Sequence, residues 1–334
     1  MKNIFRIVVT LVILVYLTSC TCNKEKPQTN NNDTTKTKKI IITADFNADS
    51  AYLFTKKQVD FGPRVNNSKA HDKCEKYLTD KLKEYTSDVI VQKANVTAFD
   101  GKILKCRNII ASFNSSSNNR IALFTHWDSR PFADQDTVDK SKPIDAASDG
   151  ASGVAILIEI ARQLKMKQSN VGVDIILIDA EDYGQPEDSK FPKKQDTYCL
   201  GAQYWAKNPH KQNYTANFGI LLDMVGAKDA TFRMEGVSMY FAKSVVKKIW
   251  DIANEIGYSG YFLYEGAGEI TDDHYYINTI AKIPCIDIIQ IDANGRFAKY
   301  WHTHNDNMKI IDKNTLKAVG QTLLEVIYRE GEGI

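Results

Sequence analysis

Two segments near the start of the chain carry apolar residues at helical spacing. They cover residues 50–60 and 69–84. In the second segment Cys74, Leu78 and Leu82 recur every four residues, which places them on one face of a helix. The pattern therefore predicts two amphipathic helices before the first strand.

The next two segments alternate apolar and polar residues, as half-buried strands do. They cover residues 88–99 and 103–113, and Asp100-Gly101 lies between them. An Asp-Gly pair between two strands is a strong signal for a tight hairpin turn. The sequence therefore predicts an N-terminal β-hairpin.

Farther along, four segments are almost continuously apolar, at residues 121–125, 173–178, 218–222 and 283–291. Strands that are buried on both faces have this pattern. Helical spacing appears in the intervening and final segments, at residues 154–164, 241–256 and 315–329. Strands that alternate with helices predict an α/β fold with a single doubly wound, mostly parallel central sheet flanked by helices.

The first 19 residues have the pattern of an export signal, which we expect to be removed. Lys2 and Arg6 precede an apolar run over residues 7–17, and small residues follow it. Cys20 comes directly after Leu-Thr-Ser, which resembles a bacterial lipobox, where cleavage leaves a diacylated N-terminal cysteine. An ordinary signal peptide is the alternative. The lipobox predicts a membrane anchor at Cys20 in the bacterial cell envelope, with the folded domain facing the periplasm or the cell surface.

Residues 21–44 are rich in Asn, Thr and Lys and lack large apolar side chains before Ile40. Such a segment cannot bury enough apolar surface to offset the entropy lost on ordering. We therefore interpret residues 20–44 as the lipidated cysteine with a flexible tether. Residues 45–334 remain as one catalytic α/β domain, a usual length for a single enzyme of this class.

Charge and cysteine content argue against two kinds of site. The chain has 43 basic and 41 acidic residues and a net charge of +2, which argues against a nucleic-acid-binding surface. Five cysteines follow Cys20, and none of them forms a C-x-x-C pair, so we expect no zinc–thiolate site. An exported protein can contain disulfides, but the sequence leaves their pairing open. We expect a monomer.

Acidic residues or histidine follow the predicted buried strands. The segments are His126-Trp127-Asp128, Asp179-Ala180-Glu181-Asp182, Asp223 and, after the fourth strand, Trp301-His302; Asp149 precedes a helix. The carboxyl ends of strands in an open α/β sheet share one crevice. Carboxylates that converge there repel one another, and a divalent metal removes that cost. Nitrogen and oxygen ligands without thiolate suit zinc in an open catalytic site.

Each of these residues has a simpler interpretation when it is considered alone. A single Asp at a strand end is usually a turn or cap residue, and Asp149 before a helix can be only that. A lone His is more often a surface or core residue than a ligand. Five such groups at strand ends together favour a metal site, and spacing alone indicates only a metallohydrolase-like protein.

A series of motifs resembles the pattern of glutaminyl-peptide cyclotransferases, the glutaminyl cyclases. In order, they are Phe61-Gly62-Pro63-Arg64-Val65 with Ser68 and His71, His126-Trp127-Asp128-Ser129, Ala147-Ser148-Asp149-Gly150, Asp179-Ala180-Glu181-Asp182, Leu222-Asp223-Met224-Val225-Gly226-Ala227, Asp272-Asp273-His274 and Trp301-His302-Thr303. The resemblance extends from about residue 50 to the C terminus. It implies a zinc aminopeptidase-like α/β fold. It also implies conversion of the N-terminal glutamine of peptides or proteins to pyroglutamate, with release of ammonia.

The resemblance implies one Zn²⁺ per chain, bound by Asp149, Asp182 and His302. Glu181 would act as the general acid and base. The family usually has a Glu-Glu pair where this chain has Glu181-Asp182. Because Asp182 is one methylene shorter, the metal must lie closer to that strand or the backbone must shift.

The resemblance also implies the substrate site. Asp223 would hold the reacting nitrogen, Asp272 would support Asp223 from behind, and Trp301 would line the pocket for the glutamine side chain. The animal enzymes have a second pocket tryptophan shortly after the acidic pair, and this chain lacks it. We expect Tyr183 or Trp127 to replace it.

Two other functions fit part of the pattern. A dinuclear zinc aminopeptidase of the same fold would bind a second metal through His126 and Asp223, with Asp149 bridging, and would use Glu181 to activate water. A catalytically inactive, lipid-anchored binding protein is the non-enzymatic alternative. The intact Glu181 and the complete ligand set argue against that alternative, and Trp301 favours the cyclase over the peptidase.

Overall fold

The computed structural model describes residues 44–333 of the chain. The predicted export signal, the lipid anchor at Cys20 and the predicted tether as far as residue 43 lie outside the described residues. No helix within residues 44–333 combines the length and the apolar character that a membrane crossing requires.

The described chain begins with the two predicted helices, α1 (Ala48–Val59) and α2 (Lys69–Lys83). A polar side chain starts each of them. Asn47 accepts a hydrogen bond from the backbone N–H of the third residue after it, and Ser68 does the same at α2. Such caps satisfy N–H groups that have no partner within the helix.

Residues 44–333 contain eight strands: β1 (Val89–Thr97), β2 (Ile103–Phe113), β3 (Arg120–His126), β4 (Gly172–Ile178), β5 (Phe218–Asp223), β6 (Phe232–Met234), β7 (Phe262–Gly266) and β8 (Cys285–Ile289). Six of them form the central sheet in the order β1-β2-β4-β3-β5-β8, and β6 pairs with β7 separately. β1 and β2 are antiparallel, as are β2 and β4, whereas β4, β3, β5 and β8 are parallel. The mostly parallel central sheet is confirmed.

The remaining helices are α3 (Ala151–Met166), α4 (Leu200–Lys207), α5 (Gly236–Glu255), α6 (Asp273–Tyr276) and α7 (Lys313–Glu332). A π-helical turn, Ile277–Ala281, continues α6, and a 3₁₀ turn, Met308–Ile310, precedes α7. The predicted helices correspond to α3, α5 and α7. The short elements α4, α6, β6 and β7 were not predicted, since so few residues carry little periodicity.

The central strands separate two apolar cores. Ile175 and Leu177 of β4 face the core shared with α1, α3, α5 and α7, whereas Ile176 and Ile178 face the core shared with α4 and the π-helical turn. Every residue of β3 and β4 is buried. Burial on both faces explains the continuous apolar runs in the sequence.

The cysteines of the described region are all buried and unpaired. They are Cys74, Cys106, Cys199 and Cys285. The question of disulfide pairing, which the sequence left open, is thereby answered for residues 44–333.

Candidate metal centre and active site

The parallel strands direct their carboxyl ends toward one crevice. His126 is the last residue of β3, Asp223 is the last residue of β5, and residues 179–182 follow β4 directly. Asp149 comes from the turn before α3, and His302 comes from the loop after β8. The structure therefore brings together the polar groups that the strand ends predicted.

Asp149, Asp182 and His302 form a set of three metal-ligand side chains, named here the metal set. One ligand atom of each lies within 4.8 Å of the others, and all three residues are buried. His302 Nε2 is 3.3 Å from Asp182 Oδ1, while the Oδ2 atoms of Asp149 and Asp182 have no hydrogen-bond partner. Buried oxygens without partners are costly, and a divalent cation between them removes the cost. This donor set fits catalytic zinc, with a coordination position left open.

The backbone turns sharply before the adjacent acids Glu181 and Asp182. Ala180 has a φ of 55°, in the left-handed region that side chains disfavour. Asp128 secures this turn, because its Oδ1 accepts a hydrogen bond from Glu181 N at 3.1 Å and its Oδ2 accepts one from Asp182 N at 3.2 Å. The turn lets Asp182 join the metal set while Glu181 belongs to a different group of side chains.

Asp149 is positioned by its backbone. Asp306 accepts hydrogen bonds from Ser148 N at 2.7 Å and from Asp149 N at 3.0 Å. Gly150 follows at a φ of 88°, and a Cβ atom there would lie 2.9 Å from His126 Cε1, so only glycine fits. Gly150 is the N-cap residue of α3, and no side chain caps this helix. The alternative that Asp149 is merely a helix cap is therefore wrong.

His302 is supported from the side away from Asp182. Its Nδ1 lies 3.3 Å from Asp134 Oδ1, and the buried Arg130 donates to both Asp134 oxygens at 2.6 and 3.0 Å. Burial tends to raise the pKa of Asp134, but His302 and Arg130 outweigh burial and hold that pKa below its usual range. An ionised carboxylate at Nδ1 favours the tautomer whose Nε2 lone pair is available to a metal.

A second group of possible ligands consists of His126, Asp149 and Asp223. His126 Nε2 lies 3.0 Å from Asp149 Oδ1 and 3.2 Å from Asp223 Oδ1, which are hydrogen-bonding distances. No buried oxygen of Asp223 lacks a partner. His126 Nε2 thus bridges Asp149 and Asp223, whereas the Oδ2 atoms of Asp149 and Asp182 are left without partners in the metal set.

Glu181 lies beside the metal set in a strongly acidic environment. One ligand atom of each of Glu181, Cys199 and Asp272 lies within 4.8 Å of the others. Burial raises the pKa of Glu181 well above its usual value; His126 lowers the pKa, whereas Asp182 and Asp272 raise it further. A carboxyl group with a raised pKa is suited to accept and return a proton near neutral pH.

A cavity of about 210 Å³ adjoins Glu181 and the metal set. Besides the metal set and Glu181, it is lined by Tyr198, Asp223, Ile270, Thr271, Asp272, Ile289, Phe297 and Trp301. The ring of Trp301 stacks on His302 at 3.6 Å and on Phe297 at 4.2 Å between centroids. Trp301 thus lies at the wall where the resemblance places it.

The predicted replacements for the second pocket tryptophan are wrong. Trp127 is fully buried, stacks on His71 at 4.3 Å and donates from Nε1 to the Arg107 carbonyl. Successive residues at a strand end point to opposite faces, and the neighbours of Trp127 face the site. Tyr183 lies in a separate apolar cluster, and its hydroxyl donates to Asp100. Neither residue lines the cavity.

Tyr198 and Phe297 supply the aromatic walls instead. Arg130 lies 5.1 Å from the Tyr198 ring centroid, which ties this wall to the support of the metal set. Phe297 lies in the same loop as Trp301. Tyr198 lies in a loop, where no periodicity indicated its direction.

Asp223 and Asp272 both face the cavity. Burial raises the pKa of Asp223 to about 7, with the hydrogen bond from His126 lowering it and the charge of Asp149 raising it. Asp272 is the N-cap residue of α6, and its side chain accepts a hydrogen bond from Asp273 N. The structure thus places the implied substrate-holding acid and its supporting acid in one pocket.

A buried pair beneath residues 179–182 was not identified from the sequence. His71 Nε2 lies 2.9 Å from Asp179 Oδ1. The Asp179 carboxylate also accepts hydrogen bonds from Ala180 N at 2.8 Å and Arg107 N at 2.7 Å. The pair fixes the start of the turn that presents Glu181.

The contacts of Asp134 predict an effect on metal affinity. We expect Asp134→Asn to weaken zinc binding by about 10- to 100-fold, because the neutral amide supports His302 less well than a carboxylate does. Competition against a chromogenic chelator measures this affinity. The control is Asp139→Asn, since the Asp139 side chain is 55% exposed, pairs with Lys142 and does not belong to the metal set. Equal affinities in the two variants would contradict the role of Asp134.

Comparison with known proteins identifies the family of the chain. Residues 108–327, about two thirds of the chain, match peptidase family M28. The chain is 25% identical over 280 residues to a glutaminyl-peptide cyclotransferase of Drosophila melanogaster; the match covers 76% of this chain and 73% of that protein.

Two solved bacterial structures are much more similar. A glutaminyl cyclase of Bacteroides thetaiotaomicron, bound to N-acetylhistamine, is 52% identical, with a TM-score of 0.84 over 86% of this chain and 99% of that one. A Zn-dependent exopeptidase of Parabacteroides distasonis is 51% identical, with the same TM-score and coverage. The chain belongs to peptidase family M28 and is a zinc-dependent homologue of the bacterial glutaminyl cyclases.

Proposed function

We propose that this chain is a glutaminyl-peptide cyclotransferase that converts N-terminal glutamine to pyroglutamate and releases ammonia. The observation that carries the proposal is the separation of two adjacent acids. Asp182 belongs to the metal set, whereas the Glu181 carboxylate lies outside it and lines the same pocket. A proton carrier is thereby held next to the metal without being one of its ligands.

The reaction requires no Ser or Cys nucleophile, because the substrate supplies its own α-amine. Asp149, Asp182 and His302 would hold the zinc ion, which would supply Lewis acidity for the side-chain carbonyl oxygen. The new bond joins the α-nitrogen to the side-chain carbonyl carbon. The bond from that carbon to the amide nitrogen breaks, and ammonia leaves.

Glu181 performs both proton transfers. It accepts the proton that the α-amine loses on attack and delivers it to the leaving amide nitrogen. One carboxyl group suffices because both nitrogens are bonded to the same carbon in the intermediate. Transfers of this kind typically contribute about 10²–10⁴-fold to rate.

The other pocket residues position the substrate. Asp223 is placed to accept a hydrogen bond from the α-amine, and Asp272 lies beside it in the pocket. The methylene groups of glutamine fit against the apolar wall, which includes Ile270, Ile289 and Trp301. A cavity of about 210 Å³ accommodates one such side chain but not a large folded segment.

A dinuclear aminopeptidase is the second candidate, because the His126, Asp149 and Asp223 group resembles a second metal site. The internal hydrogen bonds of this group favour a single zinc in the metal set. If Asp223 bound a second metal, its carboxylate would be unavailable to the substrate amine. We therefore propose one Zn²⁺ per chain.

The direct test is ammonia release from a dipeptide that begins with glutamine. We expect one ammonia and one pyroglutamyl peptide per substrate, with no free amino acid. We also expect a zinc chelator to abolish the reaction and added Zn²⁺ to restore it. Metal analysis by mass spectrometry should give one zinc per chain. Cleavage of the dipeptide, or two zinc ions per chain, would favour the peptidase.

Glu181→Gln tests the proton carrier. The amide matches the carboxylate in size but cannot accept the amine proton, so we expect kcat to fall by at least about 10²-fold. Zinc content should remain that of the wild type, because Glu181 is outside the metal set. Glu187→Gln, in the loop after the acidic pair, is the matched control and should keep full activity. Wild-type turnover in Glu181→Gln would refute the role of Glu181.

We also propose that the chain is a lipoprotein of the bacterial cell envelope, anchored through Cys20 and facing the periplasm or the cell surface. The support is the basic start, the apolar run and the lipobox-like residues before Cys20. Cys20→Ser should abolish incorporation of labelled palmitate in a bacterial host and release the protein from the membrane fraction. Cys22→Ser is the control. Equal labelling of both variants would reject the anchor.

A further inference from the structure

A buried thiol contacts the proton carrier of the site. Cys199 Sγ lies 3.3 Å from Glu181 Oε1 and 3.9 Å from Asp272 Oδ1. Cys199 is fully buried and unpaired. Within residues 44–333 its thiol is the group that donates a hydrogen bond to the Glu181 carboxylate; His126 Nδ1 approaches only to 4.0 Å.

The backbone holds this thiol in place. Cys199 has a φ of 57°, so the chain turns sharply at the start of α4. Its N–H donates to the Glu181 carbonyl at 2.9 Å, and Leu200 N donates to the Ala180 carbonyl at 3.0 Å. Gly201 lies against the same segment, since a Cβ atom there would come within 1.8 Å of the Asp179 carbonyl. The start of α4 and the turn carrying Glu181 are therefore locked together.

We propose that Cys199 is a positioning residue, whose S–H group donates to Glu181 Oε1 and keeps that carboxylate directed into the pocket and away from the metal set. The inference deepens the proposed function, because it rests on Glu181 being the proton carrier. A thiol has a single proton to donate. The shorter contact assigns it to Glu181 rather than to Asp272.

A thiol is well suited to this position. Glu181 must accept a proton in one step and give it up in the next, so a strong donor such as a guanidinium would oppose the first step by stabilising the anion. The S–H group is a weak donor, and it orients the carboxylate with less bias toward one protonation state. Cys199 also packs among apolar side chains, where a thiol can be buried without a further polar partner.

Three variants test the role by activity. Cys199→Ala removes the donor, and we expect kcat to fall about tenfold with KM unchanged, since one hydrogen bond that orients Glu181 is lost and no substrate-binding group changes. Cys199→Ser retains a donor and should recover most of the lost kcat. Cys74→Ala removes a buried thiol from the core of α2, and it should keep wild-type kcat and zinc content.

The serine rescue separates positioning from packing. A purely structural cysteine would be served equally well by alanine, or would make serine the worse variant. Wild-type kcat in Cys199→Ala, or no recovery in Cys199→Ser, would overturn the proposal. The proposal would also be overturned if Cys74→Ala lost as much kcat as Cys199→Ala, or if Cys199→Ala changed KM alone.

An infrared measurement on the zinc-loaded protein tests the contact without turnover. The S–H stretching band that is present in the wild type and absent from Cys199→Ala is assigned to this thiol. Glu181→Gln should shift that band to higher frequency, because an amide oxygen accepts more weakly than a carboxylate. An unmoved band would overturn the hydrogen bond. If the wild type releases no ammonia, the proposed function fails, and the band still decides whether the thiol is bonded to Glu181.

Discussion

The concentration of carboxylates at one edge of the sheet is the constraint on which the rest of the site depends. Asp149, Glu181, Asp182, Asp223 and Asp272 all line one small cavity. Anions this close raise one another's pKa, so they remain charged only where a cation or a donor compensates them. The fold resolves the conflict unevenly. The Oδ2 atoms of Asp149 and Asp182 lack partners where a divalent ion fits, whereas Glu181 and Asp223 beside them accept hydrogen bonds.

The backbone, more than side-chain length, gives neighbouring acids different roles. Asp128 binds the N–H groups of Glu181 and Asp182 with its two oxygens, and the left-handed turn at Ala180 precedes them. A regular strand would also place two successive side chains on opposite faces, but it would direct Glu181 into an apolar core. The turn places both side chains at the crevice.

Most of the fold was readable because burial on two faces leaves a distinctive sequence pattern, and the ends of such strands must meet. The metal set and Glu181 followed from that geometry together with the family resemblance. Side-chain direction in loops was not readable. Trp127 was assigned to the pocket although its neighbours His126 and Asp128 face the site, so that Trp127 must point to the opposite face. The pattern gave no indication that Tyr198 lines the pocket. Support from Asp134 depends on contacts between segments that no local spacing reveals.

Hydrolysis and cyclisation on this scaffold differ in what Asp223 binds. A peptidase with two metals commits that carboxylate to a cation and lets a metal-bound water attack. In the proposed cyclisation the same carboxylate receives the substrate amine, so a second metal and the nucleophile would compete for one group. His126 bears on this competition, because its Nε2 lies within hydrogen-bonding distance of Asp149 and Asp223 and occupies the space between them. An imidazole in that position reduces the repulsion between the two carboxylates, as a second cation would. It also leaves Asp223 facing the pocket.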